Sequence, residues 1–247
     1  MTEETIFFPE LKARLGTQEY SYKVDDINFL LEKTKFLEKQ CLATHNFVFE
    51  KIKENAINDM MRRLQKNKDD FKFSTAVQHK VVHSGHVRVF TDFAFSFDSF
   101  IETCIRAVRY QIKLSLEVLL GDEVESLQKL MKALIENTEK YNAISERLEK
   151  QEPELKKYYI EQWQTWVEGL NKKRVDIVHY FIMNKYEVKA TAFWSCMEKE
   201  VGSPTRIDCI PMQIDGKPLD SFIRETKENV CSFINFNVNY LIEKKRR

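Results

Sequence analysis

Glycine and proline are scarce in this chain, at six and five among 247 residues. So few turn-making residues argue against a sandwich or barrel, which needs many tight turns, and for long helices. Six scattered glycines also build no phosphate-cradling loop, which sets aside P-loop and dinucleotide-binding readings, and no G-x-S-x-G elbow is present. The cysteines, at 41, 104, 196, 209 and 231, include no CxxC pair. They offer no metal or disulfide framework and fit a reducing compartment. No apolar run reaches the roughly 18 residues that a membrane helix needs. The acidic opening MTEETIFFPELKARLG lacks the apolar core of a signal peptide, so the cytoplasm is the expected location. Excess charge of one sign is missing too: 39 basic residues against 38 acidic ones leave +1. A protein that coats long nucleic acid carries a basic excess, whereas a short RNA needs only a local patch. The tail Lys244-Lys245-Arg246-Arg247 is such a patch, and four terminal charges read first as solvated.

What is present is helical periodicity. Residues 1–22 read as a loosely structured N-terminal arm, and 23–247 as a single helical domain. After Asp25 and Asp26, apolar residues from Ile27 to Leu64 recur at three- and four-residue spacing, predicting one or two amphipathic helices that end near Lys66. Residues 71–96 fit either strands or, in their first half, a helix; His83-Ser84-Gly85-His86 would then be a turn. Phe97, Phe100, Ile101, Cys104, Ile105, Val108, Ile112 and Leu116 form one stripe that Gly121 closes. A charged helix over 123–150 follows, then one opened by Pro153 and running to Leu170. Asn171 would cap a helix at 172–184. Asp215-Gly216 is a two-residue hairpin signal, and Leu219 to Glu243 is helical again. The Phe and Trp stripes at helical spacing read as core.

Two constellations could carry chemistry. His79, His83 and His86 have an H-x3-H-x2-H spacing that would suit zinc if helical, but no Cys, Asp or Glu nearby completes the set, so no metal is expected. The second is Arg174-Val-Asp-Ile-Val-His179. Its spacing is weak evidence, since roughly one chain in four of this composition would contain an Arg with a His five residues on. Its placement says more. On a helix Arg174 falls inside the apolar arc of Val175, Ile177, Val178, Phe181 and Ile182, with His179 about 140° away at its edge. Such an arginine either snorkels to solvent or finds an anion in a polar cleft, because an unpaired buried charge is costly. The first turn of a helix, with Lys172 and Lys173 beside it, favours anions.

On this segment, NKKRVDIVHYF, the sequence resembles the HEPN superfamily of helical-bundle proteins, whose signature is R-x4–6-H near the start of a late core helix. The order of helices around it also agrees. The resemblance covers mainly residues 97–184 and the C-terminal helix at 219–243. It implies an all-α, up-and-down HEPN-like bundle, to which the periodicity adds a long N-terminal helix and small β-like insertions. It further implies a homodimer with two motifs facing one cleft, and a metal-independent, cofactor-free endoribonuclease in defence or stress, of the toxin–antitoxin kind, with RNA and an antitoxin or other protein as partners. Arg174 would hold the phosphate and His179 would be the general acid or base. Asp176 would orient the imidazole or be a plain surface carboxylate; Asn171 and Lys173 would be supporting residues. Two positions depart from the pattern. Val175 replaces the usual Asn, Asp or His, and Phe181 replaces a tyrosine that some members carry. The alternative is a non-catalytic dimerisation, nucleotide-binding or protein-binding module.

Overall fold

The first helix, α1 (Phe8–Leu15), lies where the sequence suggested a loose arm. Phe8, Leu11 and Leu15 recur on one face and are buried, which anchors the segment, and Pro9 starts the helix without sacrificing a needed donor. Gly16, at φ 69°, ends it in the left-handed conformation. Thr17 then accepts a 3.3 Å hydrogen bond from the Tyr20 amide and opens α2 (Gln18–Lys66), a continuous helix of 49 residues. The computed structural model describes residues 6–66, 79–86, 91–136, 141–180, 185–193, 206–210 and 213–246, with side chains at 6–55, 57–58, 61–62, 92–136, 141–175, 209 and 213–246.

The remaining helices are α3 (Thr91–Leu120), α4 (Leu127–Glu136), α5 (Asn142–Gln151), α6 (Pro153–Gln162), α7 (Glu168–Tyr180) and α8 (Leu219–Lys244). A π-helical turn, Trp163–Val167, joins α6 to α7 without a break. The protein is an all-α helical bundle with small β insertions. Strand β1 (His79–His86) pairs antiparallel with β2 (Lys185–Phe193), and β2 with β3 (Arg206–Ile210). A short hairpin joins β4 (Gln213–Ile214) to β5 (Lys217–Pro218). Its corner is Asp215-Gly216, with φ 52° and 77°, the two positive angles that a type I′ turn demands.

The chain divides into two compact units. One comprises 1–37, 98–180 and 226–247; the other comprises 38–97 and 181–225. Helices α2, α3 and α8 each give one end to each unit. In the first unit, Ile101, Cys104 and Val108 of α3, Leu130 of α4, Leu148 of α5, Leu155 of α6 and Phe233 of α8 are all buried. Tyr158 stacks on Phe236 with ring centroids 3.7 Å apart, joining α6 to α8. The carboxylate of Glu152, between α5 and α6, accepts from Tyr240 and pairs with Lys244 at 2.6 Å. In the second unit, Phe93 lies between His45 and Phe97, and Phe97 meets Phe222.

Several boundaries differ from the expectations. Helix α3 begins at Thr91, six residues early. The helix expected over 123–150 is two, α4 and α5, with 137–140 outside the described residues. The Phe stripes are not all core: Phe29, Phe36, Phe47 and Phe95 are exposed. Ile135 of α4 is also exposed. The segment 71–77 lies outside the described residues.

Candidate functional site

Asn171 was expected to cap a new helix. Instead the helix passes through Gly169 and Asn171 unbroken, and both are interior positions of α7. The hydrogen-bond ladder explains why no cap is needed: the Glu168 amide donates to Trp163 O in an i→i+5 bond, so the preceding turn supplies the acceptor. Arg174 therefore sits mid-helix rather than in a first turn. The free amides and positive dipole end that would favour an anion there are absent.

Arg174 is half-buried, and its Nη1 lies 3.4 Å from Glu102 Oε2 of α3, with side-chain exposures of 35% and 43%. That contact is long for a charge-assisted hydrogen bond. Its Nε is buried and has no hydrogen-bond partner among the described residues. Of the two expectations for this arginine, solvent or an anion, the structure shows a contact with Glu102, 72 residues away, while the side chain stays 35% exposed. Of the apolar arc, Val175 is the one side chain among the described residues, and it is exposed at 36%. Lys172 pairs with Glu168 at 2.8 Å, one turn back. Lys173 and Asn171 are half-buried.

The backbone of α7 carries Asp176 and His179, and their side chains lie outside the described residues. Five helical residues set the Cα atoms of Arg174 and His179 about 140° apart around the axis. The histidines of the H-x3-H-x2-H cluster, expected on a helix or turn, lie instead on strand β1, where His79 faces Ala192, His83 faces Val188 and His86 faces Lys185 in register. Their side chains are outside the described residues. No group of His, Cys, Asp or Glu suited to a metal occurs among the residues whose placement is described.

Sequence reasoning missed the polar face of α3. Glu102, Arg106, Arg109, Lys113 and Glu117 follow at three- and four-residue steps, opposite the buried stripe. With Lys23 of α2 they line a hollow of about 550 Å³ in the first unit. Lys23 bonds Glu117 at 2.5 Å and Glu19 at 2.8 Å, which together hold its ammonium pKa above the ordinary lysine range. Arg109 Nη2 donates to the carbonyl of Glu125 at 2.6 Å, while its Nε is buried without a partner among the described residues. Arg106 lies 6.0 Å from the Tyr110 ring. Glu102 belongs both to this hollow and to the Arg174 contact, so the motif arginine borders a field of mixed charge. The only signal for it in the sequence was the polar half of an amphipathic helix, which any surface helix shows.

Comparison with family models, with curated proteins and with solved structures finds no match to this chain. No helix among the described residues is long and apolar enough to cross a membrane.

Proposed function

We propose that the protein is an RNA-cleaving helical bundle of HEPN type, with Arg174 as the phosphate-holding group and His179 as the proton-transfer group. One observation carries this reading. Among the described residues, Arg174 is a cation with one 3.4 Å contact and an unpartnered Nε, which leaves it loosely engaged at a polar surface. A guanidinium held this way can exchange Glu102 for a phosphate oxygen, and its planar fork suits two oxygens at once. His179, whose ordinary pKa is near 6.5, would take the proton from an RNA 2′-hydroxyl as that oxygen attacks the adjacent phosphorus. The 5′-oxygen leaves with a proton, giving a 2′,3′-cyclic phosphate and a 5′-hydroxyl. A second copy of the chain facing the first supplies the complementary group, since the two positions diverge on one helix. A role in defence or stress, checked by an antitoxin-like partner in the cytoplasm, follows from this chemistry's toxicity.

The second reading, a non-catalytic binding module, is favoured by Glu102 itself, which already neutralises Arg174 within the chain. Incubating the purified chain with varied RNAs in EDTA separates them. Cyclic-phosphate ends that vanish in both Arg174→Ala and His179→Ala support the ribonuclease. Intact RNA that binds wild type but not Arg174→Ala supports the module.

A further inference from the structure

The exposed aromatic residues of α2 in the first unit are not scattered. Tyr22, Phe29 and Phe36 are 62%, 66% and 64% exposed, and they are seven residues apart. Seven helical residues advance about 700°, so the three rings form one stripe about 21 Å long. Small side chains or charges would be ordinary on a solvated face; three large rings in heptad register are the pattern of a helix that packs against another helix. The face opposite, with Val24, Ile27 and Leu31, is already buried in the bundle. The stripe is therefore additional to the fold's own requirements.

The borders of the stripe identify what covers it. Asp26 and Lys33 flank it on the same side, again seven residues apart, and neither has an ion-pair partner among the described residues. On the other side, Asp25 pairs with Lys12, and Glu32 pairs with Lys35 at 2.9 Å. In an antiparallel pair of identical helices related by a two-fold axis, each flank meets the same flank of its mate. Placing the axis between Phe29 and Leu30 sets Asp26 opposite the second copy's Lys33, and Lys33 opposite its Asp26. The same placement sets Phe29 against Phe29 and Tyr22 against Phe36 to within one residue, about 1.5 Å. A parallel pair would instead set this flank against the mate's other flank, where Asp25 and Glu32 are already paired with Lys12 and Lys35. An RNA backbone finds no excess of cations beside these rings, so a stacking platform for nucleic acid does not fit.

We infer that α2 docks antiparallel on α2 of a second copy of this chain, through the stripe Tyr22–Phe29–Phe36 and reciprocal Asp26–Lys33 pairs. Six rings, each burying about 150–250 Å² when fully covered, contribute roughly 800 Å² at their present exposure. The flanking side chains carry the contact towards the roughly 1,200 Å² of a small stable interface. This inference does not rest on the ribonuclease reading, because the stripe contains no residue of the proposed RNA site.

Sedimentation of the full chain across concentrations tests it by mass alone, so its failure is distinct from failure of the RNA reading. Wild type should show a monomer–dimer equilibrium. Phe29→Glu should raise the dissociation constant 100-fold or more, since it puts a carboxylate among desolvated rings, while far-UV circular dichroism and melting stay unchanged. Lys33→Asp should weaken the dimer several-fold, and the double variant Asp26→Lys with Lys33→Asp should restore it. Only pairing of the chain with itself is rescued by a swap within one chain. Wild type that stays monomeric overturns the inference, as does a dimer indifferent to Phe29→Glu or one that the double swap does not restore.

Discussion

Tyr159 of α6 donates a 2.7 Å hydrogen bond to Asn237 Oδ1 of α8, and both residues are almost wholly buried. The same oxygen accepts from Ser115 of α3 at 3.2 Å, while the Asn237 amide nitrogen donates to Phe233 O at 2.8 Å. One side chain thus satisfies groups on three helices. Burial also pushes the Tyr159 hydroxyl pKa well above its ordinary value, so it stays a donor.

Removing the acceptor is predicted to hurt more than removing one donor. Asn237→Ala should cost roughly 2–4 kcal/mol in urea unfolding, because Tyr159 and Ser115 lose their acceptor in a dry core. Tyr159→Phe should cost about 1 kcal/mol, the usual net value of one hydrogen bond. Equal costs for the two would show that Asn237 is not the hub.

Glu102 competes with any phosphate for Arg174. Glu102→Gln should therefore tighten binding of a short single-stranded RNA a few-fold, measured by fluorescence anisotropy, and steepen its salt dependence. Stability should change by less than about 1 kcal/mol, since both side chains are more than a third exposed. Weaker binding in Glu102→Gln would mean that the pair positions Arg174 rather than blocking it.

His45 gives the fold a pH dependence. Burial lowers its pKa below the ordinary 6.5, with Asp220 acting in the opposite direction. A histidine kept neutral in the fold protonates more readily when unfolded. Its contribution is thus complete above pH 6.5 and is lost as pH falls below it. Asp98, whose carboxyl pKa is raised by burial, has the opposite sign. The difference between wild type and His45→Gln isolates the histidine. Denaturation midpoints at pH 7.5 and 5.5 should fall further apart in wild type than in the variant.

Two glycines should respond oppositely to alanine. Gly121 has φ 71°, ending α3, and Gly121→Ala should destabilise by about 1 kcal/mol. Gly169 lies inside α7 with open space where a Cβ would go, so Gly169→Ala should raise stability by roughly 0.4–1 kcal/mol. Thermal melts of the two variants decide both signs.

The elements most readable in sequence were those with one unambiguous period. The stripe from Phe97 to Leu116 and the turn at Asp215-Gly216 needed no tertiary knowledge. The start of α3 was obscured because Phe93, Phe95 and Phe97 alternate like a strand. The helix buries Phe93 and Phe97 and leaves Phe95 68% exposed. Asn171 looked like a cap because its residue type suits one, yet capping depends on whether the preceding turn is already bonded. At the site, the sequence left Arg174 two options, solvent or an anion in a polar cleft. It could not name Glu102, since a contact across 72 residues depends on how α3 and α7 pack. The exposed rings of α2 were hidden for a related reason: heptad aromatics look alike whether they face a core or solvent.

The π-turn at Trp163–Val167 makes the stretch from α6 to α7 one residue longer than an α-helix needs to connect the same two faces. In genetic terms it is equivalent to one residue added to an α-helix, and the extra residue is confined to a single bulge. Deleting one codon there would let the turn relax to α while the residues on either side keep their orientation. The same deletion made further along, between Glu168 and Arg174, would rotate the rest of the helix by about 100°. This helix therefore has one place where its length can drift without turning Arg174 away from Glu102.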